Sequence, residues 1–549
     1  RACSPPSGTG TTNGAATPGA VTGNSDWKPS GGGRRWDSVS CTQAGATGAG
    51  TLDVNSVQLL GSGDKVLTGA NLVSKLAASI DGHLAFNNAQ ALAVDTVNAR
   101  DTASAGPNGW LGSTTPSTVG INTTGHDASL ALSAGDLAIN NSITATGATV
   151  SLTTPAGKVQ EAGATGAATP VITADKLYVG ARDSSLLNNN NVVATLAASV
   201  TAGNLEFRDT RGLDVGRVTV TNRVAQSDGS VTATTTNRDG ISATQASTGN
   251  VALQLTAGNL TQSQDIAATG LQLNLASGSA TLSRTTNDIG TLSATLGGSG
   301  SNLNVADRNG LTVGTRSSTL LGSTSGVITN NGNVTLAASA DGASTTGNLQ
   351  LDQFVNAGTA VVDLASSKGA ITENAAVPAA IVTASALRVT AVNTSLLNNT
   401  NQVGTLAGTI SGDAQGLDFT NGQALTVGTV LGTNGLAIGS ASSRGNLTLD
   451  TAGAATGTGT VTQTQAITTG GLLVRSNGDV TLTNPANNAA TLAANTAGGN
   501  LSYVDADNLA VGTLAPNAGG ATTAGITAGT TSGGATVKLE SVAGALSQA

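Results

Sequence analysis

The sequence predicts an all-β fold, a right-handed parallel β-helix (β-solenoid) with a loop-rich N-terminal segment. Three observations favour it: a composition rich in small polar residues, a strand–turn–strand motif that recurs five times, and a coil period of about 20 residues. The 549-residue chain has 74 glycines, 10% charged residues and no methionine. A typical globular domain carries about 25% charged residues, so the surface must consist mainly of uncharged polar side chains.

The composition also limits the classes of function. Hydrophobic residues make up 38% of the chain, which is enough for a continuous apolar core and unlike a disordered segment. The net charge is −8, and no basic run exceeds Arg34-Arg35, so we predict no nucleic-acid partner. No apolar run reaches the roughly 18 residues that span a bilayer, and the first 25 residues lack a signal-peptide pattern, so we expect any export signal to be removed or to lie upstream.

Five copies of one motif define the repeat. Each copy has a leucine, a bulky residue two positions later, a second leucine eight positions after the first, and a valine two positions after that. Apolar residues two positions apart are typical of a strand, so each copy predicts strand, turn and strand. The copies are GHLAFNNAQALAVDT (82–96), GNLEFRDTRGLDVGR (203–217), SNLNVADRNGLTVGT (301–315), QGLDFTNGQALTVGT (415–429) and GNLSYVDADNLAVGT (499–513).

The bulky position of the motif predicts a structural core. It takes three of the four phenylalanines and one of the two tyrosines in a chain that is only 2% aromatic. A fully buried ring contributes roughly 1.5–3 kcal/mol, so we expect these side chains to point inward. The residues at this position are Phe86, Phe207, Val305, Phe419 and Tyr503.

The middle position of the motif always holds aspartate or asparagine. Both residues can form a hydrogen bond with their own backbone two residues on, whereas only aspartate could act as a general acid or base. We therefore predict a turn role for this position. Its residues are Asn88, Asp209, Asp307, Asn421 and Asp505.

A further strand precedes each motif and sets the longer period. Its leucines are Leu76, Leu196, Leu292, Leu406 and Leu492, spaced 120, 96, 114 and 86 residues apart. The eight-residue spacing inside the motif never varies, so insertions fall in turns that point away from the coil. Short coils that cannot bury their apolar faces alone predict residues 49–549 as a stacked parallel β-solenoid. An array of antiparallel β-sandwiches is the alternative.

Residues 1–48 differ from the rest of the chain. They hold four of the eleven prolines and both cysteines, Cys3 and Cys41, and they predict an N-terminal cap, an arm or a linker. A Cys3–Cys41 disulfide would close this segment. Two free thiols are the alternative.

The repeats resemble those of filamentous-haemagglutinin-like exoproteins, which are large adhesins secreted by Gram-negative bacteria through two-partner or autotransporter routes. The resemblance covers about residues 50–549 and rests on GNLTL (445–449), GDVTL (478–482) and TLAANTAGGNL (491–501). It implies a secreted or cell-surface rod that acts in adhesion, aggregation or biofilm. It also implies export through an outer-membrane transporter and partners among host or bacterial surface glycans and proteins. The chain lacks an RGD tripeptide and a recognisable secretion domain.

Chemistry-bearing residues are sparse. The two histidines, His83 and His126, are interpreted as solvated turn residues, and no calcium-binding nonapeptide repeat occurs. The densest charged group, Arg208, Asp209 and Arg211, is interpreted as surface ion pairing. We therefore predict no catalytic residue, no cofactor and no metal site.

Other functions remain as alternatives to adhesion. One is a polysaccharide-active β-helix enzyme or a tailspike-like glycan-binding protein. An ice-binding solenoid is disfavoured by the uneven coil lengths. We also expect that the rod can associate head to tail with other copies and form an extracellular filament.

Overall fold

The computed structural model describes residues 51–98, 117–163, 169–226, 230–245, 249–338, 347–455, 457–529 and 534–549. Before residue 51 it describes only the backbone of Val21–Asn24 and Ser40–Gln43, which pair antiparallel. Cys3 and nearly all of residues 1–48 lie outside the described residues, and so does the predicted Cys3–Cys41 disulfide. The cap, arm or linker therefore stays a prediction.

The chain divides into two compact units. The N-terminal unit comprises Arg1–Thr269 with Ser318–Leu320, and the C-terminal unit comprises Gly270–Ser317 with Leu321–Ala549. Every regular element in the described part of the chain is a β-strand, and no helix there is long and apolar enough to cross a membrane.

Strands of the N-terminal unit are Asp53–Ser62, Lys65–Asp81, Leu84–Asn88, Leu92–Val94, Thr96–Val97, Thr118–Val119, Ile121–Asn122, Ala128–Leu132, Leu137–Ile139, Ile143–Thr154, Val159–Glu161, Ile172–Ala181, Ser185–Val200, Leu205–Asp209, Leu213–Val215, Arg217–Ala225, Val231–Asp239, Ile241–Ala243, Asn250–Leu255 and Leu260–Gln262. The strand Ile266–Leu275 contains the division between the units.

The strand Thr315–Ser318 also contains a division, since its last residue belongs to the N-terminal unit. The other strands of the C-terminal unit are Ala280–Leu282, Asp288–Ser299, Leu303–Asp307, Leu311–Val313, Gly322–Ser325, Val327–Asn330, Val334–Ala338, Leu349–Leu351, Val355–Asn356, Val361–Ser366, Ile371–Glu373, Val382–Ala391, Ser395–Ile410, Leu417–Asn421, Leu425–Val427, Thr429–Val430, Thr433–Asn434, Leu436–Ile438, Asn446–Thr451, Val461–Gln463, Ile467–Ser476, Val480–Leu482, Asn488–Thr496, Leu501–Asp505, Leu509–Val511, Thr513–Leu514, Thr523–Ala524, Ile526–Ala528, Val537–Ser541 and Leu546–Gln548.

Parallel pairing joins each coil to the next. In the N-terminal unit, Leu84–Asn88 lies between two parallel neighbours, so that Phe86 stands opposite Leu67 on one side and Leu130 on the other. In the C-terminal unit, Phe419 stands opposite Leu397 and Leu449 in the same way. Equivalent strands of successive coils therefore stack on one another, and every second side chain along each strand points into the interior. The predicted parallel β-helix is confirmed.

In the described part of the chain, five two-stranded hairpins leave the coils at one equivalent point. Each follows the last valine of the motif, and each returns to the coil at a glycine with φ between 62° and 68°. Because that left-handed conformation favours glycine, the return point is fixed by sequence. The returning glycines are Gly120, Gly240, Gly326, Gly435 and Gly525.

The strands of these hairpins differ greatly in length. Hairpin 1 pairs Thr96–Val97 with Thr118–Val119, and hairpin 2 pairs Arg217–Ala225 with Val231–Asp239. Hairpin 3 pairs Thr315–Ser318 with Gly322–Ser325, hairpin 4 pairs Thr429–Val430 with Thr433–Asn434, and hairpin 5 pairs Thr513–Leu514 with Thr523–Ala524. The coil is constant, and the hairpin is the variable part of the repeat.

Candidate functional site

The bulky residues of the motif lie in the interior. Phe86, Phe207, Phe419 and Tyr503 are among the largest fully buried side chains, and Val305 is buried in the equivalent place. These rings are held by parallel neighbours on both sides and have no exposed face. They are therefore unavailable to a ligand.

The Asx residues of the motif are also buried, each as the last residue of its strand. In the three copies with aspartate, the carboxylate accepts two backbone N–H groups. In Asp209, Oδ2 accepts from Val193 at 2.7 Å and Oδ1 accepts from Arg211 at 2.8 Å. The second bond is the predicted contact two residues on, and the first joins the turn to a neighbouring coil.

The two copies with asparagine form a different pattern at the same place. In Asn421, Oδ1 accepts from the amide of Val403 at 2.9 Å, and the side-chain NH₂ donates to the carbonyls of Val403 and Gln423. Asn88 repeats all three bonds with Val73 and Gln90. We call these two copies Asn-type coils and the other three Asp-type coils.

Burial changes the acidity of two of the buried aspartates. It raises the pKa of Asp209 to about 6 and that of Asp307 to about 7, although the backbone N–H donors oppose the shift. Asp505 accepts a further bond from the hydroxyl of Tyr503 at 2.8 Å. Burial, reinforced by this neighbouring carboxylate, raises the pKa of Tyr503 above its ordinary value.

The charged group at 208–211 is therefore organised differently from surface ion pairing. Asp209 is internal, and the guanidinium of Arg211 donates to the carbonyl of Ala174 at 3.1 Å. Among the described residues, no group of three or more His, Cys, Asp or Glu side chains could hold a metal ion.

Both histidines lie in one cluster, which the sequence did not indicate. Their rings meet edge to face with centroids 5.0 Å apart. Nδ1 of His83 accepts the amide of Asp127 at 3.0 Å, and Nε2 of His126 lies 3.2 Å from Asp81. Arg223 of hairpin 2 pairs with Asp127 at 3.2 Å. Burial and the positive charge of Arg223 lower the pKa of His83.

Hairpin 2 lies over the outer face of the N-terminal unit. Val218 and Val220 pack with Tyr178 and Ala197, and Ala225 packs elsewhere on the coils. The guanidinium carbon of Arg238 stands 4.9 Å from the centre of the Tyr178 ring. The hairpin thereby becomes the wall of an outer groove.

The floor of this groove is one row of outward-facing residues on five successive coils. Parallel register places Asn87 opposite Ala131, and the row continues through Thr153 and Gly180 to Ser199. A Cβ at Gly180 would lie 2.9 Å from the hydroxyl oxygen of Tyr178, so glycine makes room for that ring. The groove has a volume of about 750 Å³, within the range of ligand sites.

Polar groups of the groove are open to a ligand. The hydroxyls of Thr68, Ser133, Ser199 and Thr201 line it and form no hydrogen bond within the described part of the chain. The described residues that line it include no aspartate or glutamate. The groove therefore offers binding groups but no carboxylate pair of the kind that glycosidases use.

Two acidic residues that the sequence analysis did not single out hold the tips of two hairpins. The carboxylate of Asp418 accepts the amides of Asn517 and Ala518 at the tip of hairpin 5, at 3.1 and 2.8 Å. Glu206, at the same motif position, accepts the amides of Thr319 and Leu320 within the N-terminal unit. The signal was an acidic residue between the leucine and the phenylalanine of these two copies.

Comparison of the chain with protein-family models, with curated proteins and with solved structures found no match. The groove and the hairpins must therefore be interpreted from their own chemistry.

Proposed function

We propose that the protein is a secreted or cell-surface adhesive scaffold, in which a regular β-helical core presents variable hairpins to partners. The observation that carries the proposal is the single insertion point. Five hairpins in the described part of the chain leave equivalent positions, and their strands range from two residues in hairpin 4 to nine residues in hairpin 2. Loops on a rigid scaffold are the usual carriers of binding function.

The repeat motifs support the same proposal through their resemblance to filamentous-haemagglutinin-like exoproteins. Export through an outer-membrane transporter, and a role in aggregation or biofilm, are part of it. Partners are host or bacterial surface glycans or proteins. The groove favours binding over hydrolysis because its described lining side chains include hydroxyls, two amides and a guanidinium but no carboxylate.

The test is attachment of protein-coated beads to epithelial and bacterial cells. We expect beads coated with the protein to attach in larger numbers than beads coated with albumin. A hairpin exchange, with Thr429–Asn434 in place of Arg217–Asp239, keeps both flanking glycines and should attach less. Arg182→Gln is the control, since among the described residues this exposed side chain pairs only with its neighbour Asp183. Attachment no better than with albumin would contradict the proposal.

End-to-end stacking of copies is a separate part of the proposal. Analytical ultracentrifugation over a range of protein concentrations tests it. We expect larger species as concentration increases. A single monomeric species at every concentration would refute the filament while leaving the adhesive function intact.

A further inference from the structure

We propose that the outer groove beneath hairpin 2 binds an acidic oligosaccharide and that Arg238 pairs with its anionic group. The inference rests on the proposed adhesive function and names the class of ligand for this one site. It is carried by the groove floor, whose row has polar side chains at Asn87, Thr153 and Ser199, and by an arginine that, among the described residues, has no carboxylate partner.

The floor suits a ligand with regularly spaced hydroxyl groups. Its row Asn87, Ala131, Thr153, Gly180 and Ser199 lies on five coils, so successive positions are about 4.8 Å apart and the row is about 19 Å long. Hydroxyls and amides both donate and accept hydrogen bonds, as a sugar hydroxyl does. Such a row can bind several units of one chain molecule.

An extended peptide fits the groove less well. A peptide added to a sheet needs a free strand edge, whereas each floor strand is paired in parallel with neighbouring coils. Side chains, not backbone groups, therefore form the floor. Ala131 and Gly180 have no bulky side chain, so the row is not obstructed between its polar residues.

Arg238 gives the groove its preference for negative charge. Its guanidinium lies against the face of Tyr178 and, within the described residues, has no ion-pair partner. By contrast, the neighbouring Arg217 is paired with Asp239 at 2.6 Å. The lining that the structure describes has no carboxylate to compete with a ligand. A stacked guanidinium is well suited to a carboxylate or sulfate group.

Isothermal titration calorimetry with four probes tests the inference. The acidic probes are hexagalacturonate, which carries carboxylates, and sulfated maltohexaose, which carries sulfates. Their neutral counterparts are methyl-esterified hexagalacturonate and maltohexaose. We expect at least one acidic probe to bind about tenfold more tightly than its neutral counterpart. We also expect the affinity of that acidic probe to fall as salt is added. The pair of acidic probes shows which anion the groove prefers.

Two variants test whether the probe binds in the groove. Arg238→Gln should lower the affinity for the acidic probe about tenfold. Arg182→Gln is an equal change of charge outside the groove and should leave that affinity unchanged. Ala131→Trp should block the floor and abolish binding. Thermal unfolding checks that each variant is folded. Equal binding of neutral and acidic probes, unchanged binding by Arg238→Gln, or no binding of either acidic probe would overturn the inference.

The bead assay separates this inference from the proposed function. If wild-type beads attach to cells but no acidic probe binds, the groove inference alone fails. If an acidic probe binds through Arg238 but wild-type beads do not attach, the adhesive function alone fails.

Discussion

The Asn-type and Asp-type coils fill one buried position with opposite hydrogen-bonding patterns. Asn421 donates to the carbonyl of Gln423, two residues on, whereas Asp209 accepts the amide of Arg211, also two residues on. The turn backbone therefore presents a carbonyl in one type and an N–H group in the other. An ionised aspartate cannot donate to the carbonyls of the Asn-type turn, and asparagine has only one acceptor oxygen for the two N–H groups of the Asp-type turn, so each turn selects its residue.

The turn sequences follow this division. Both Asn-type coils continue with Gln and Ala before the second leucine, as in NNAQAL (87–92) and TNGQAL (420–425). The Asp-type coils instead have RDTRGL, ADRNGL and VDADNL. The comparison teaches that the Asx residue and its turn form one unit, and that exchanging the residue without the turn should be costly.

Asn421→Asp should give the largest effect. The carbonyls of Val403 and Gln423 would each face a carboxylate oxygen instead of a donor. Because a buried group without its partner costs about 1–3 kcal/mol, we expect the free energy of unfolding to fall by about 2–6 kcal/mol at neutral pH. Urea unfolding measures this loss.

The matched control is Asn434→Asp, the same change on an exposed residue of hairpin 4. It should leave stability nearly unchanged. Acidification should partly restore Asn421→Asp, since a protonated carboxyl can donate one bond. Equal stabilities of the two variants would mean that the turn does not select its Asx residue.

Asp209 and Asp307 should give a pH dependence of stability that the Asn-type coils lack. The pKa of Asp307 is raised to about 7 in the fold, so the folded state holds the proton more tightly than the unfolded chain. Its contribution is fully present below the ordinary aspartate pKa of about 3.9 and is lost as pH rises towards 7, by up to about 1.4 kcal/mol per pH unit.

Asp307→Asn should flatten this part of the stability curve, which urea unfolding between pH 4 and pH 8 would show. The variant should also lose some stability at every pH because the amide of Asn309 loses an acceptor. Asp413→Asn, at an exposed position, should keep the wild-type slope. Identical slopes for all three proteins would contradict the assignment of the buried carboxyl.

Much of the fold could be predicted because strand periodicity and the fixed leucine spacing follow directly from burial. Phe207 was predicted as a core residue since an aromatic side chain is rare in this chain. The depth of Asp209 could not be predicted from a turn preference alone. Its second hydrogen bond comes from Val193, whose position depends on how coils stack.

The groove could not be predicted from the sequence for a related reason. Asn87 and Ser199 are 112 residues apart, and only the register of five coils brings them into one row. Arg238 reaches Tyr178 because hairpin 2 folds back over coils that precede it. Neither the stacking register nor the direction of a hairpin can be inferred from a local sequence motif.

Tyr503→Phe should give the smallest effect and sharpens the difference within the Asp-type coils. Asp505 accepts the Tyr503 hydroxyl as well as two backbone amides, whereas Phe207 offers Asp209 no such donor. Removing the hydroxyl keeps the ring and its packing, so we expect a loss of about 0.5–1.5 kcal/mol. Tyr178→Phe is the matched control because, in the described part of the chain, its hydroxyl forms no hydrogen bond. If urea unfolding shows that both variants lose the same free energy of unfolding, the hydrogen bond from the Tyr503 hydroxyl to Asp505 adds nothing to stability. Two backbone amides alone would then satisfy the carboxylate in every Asp-type coil.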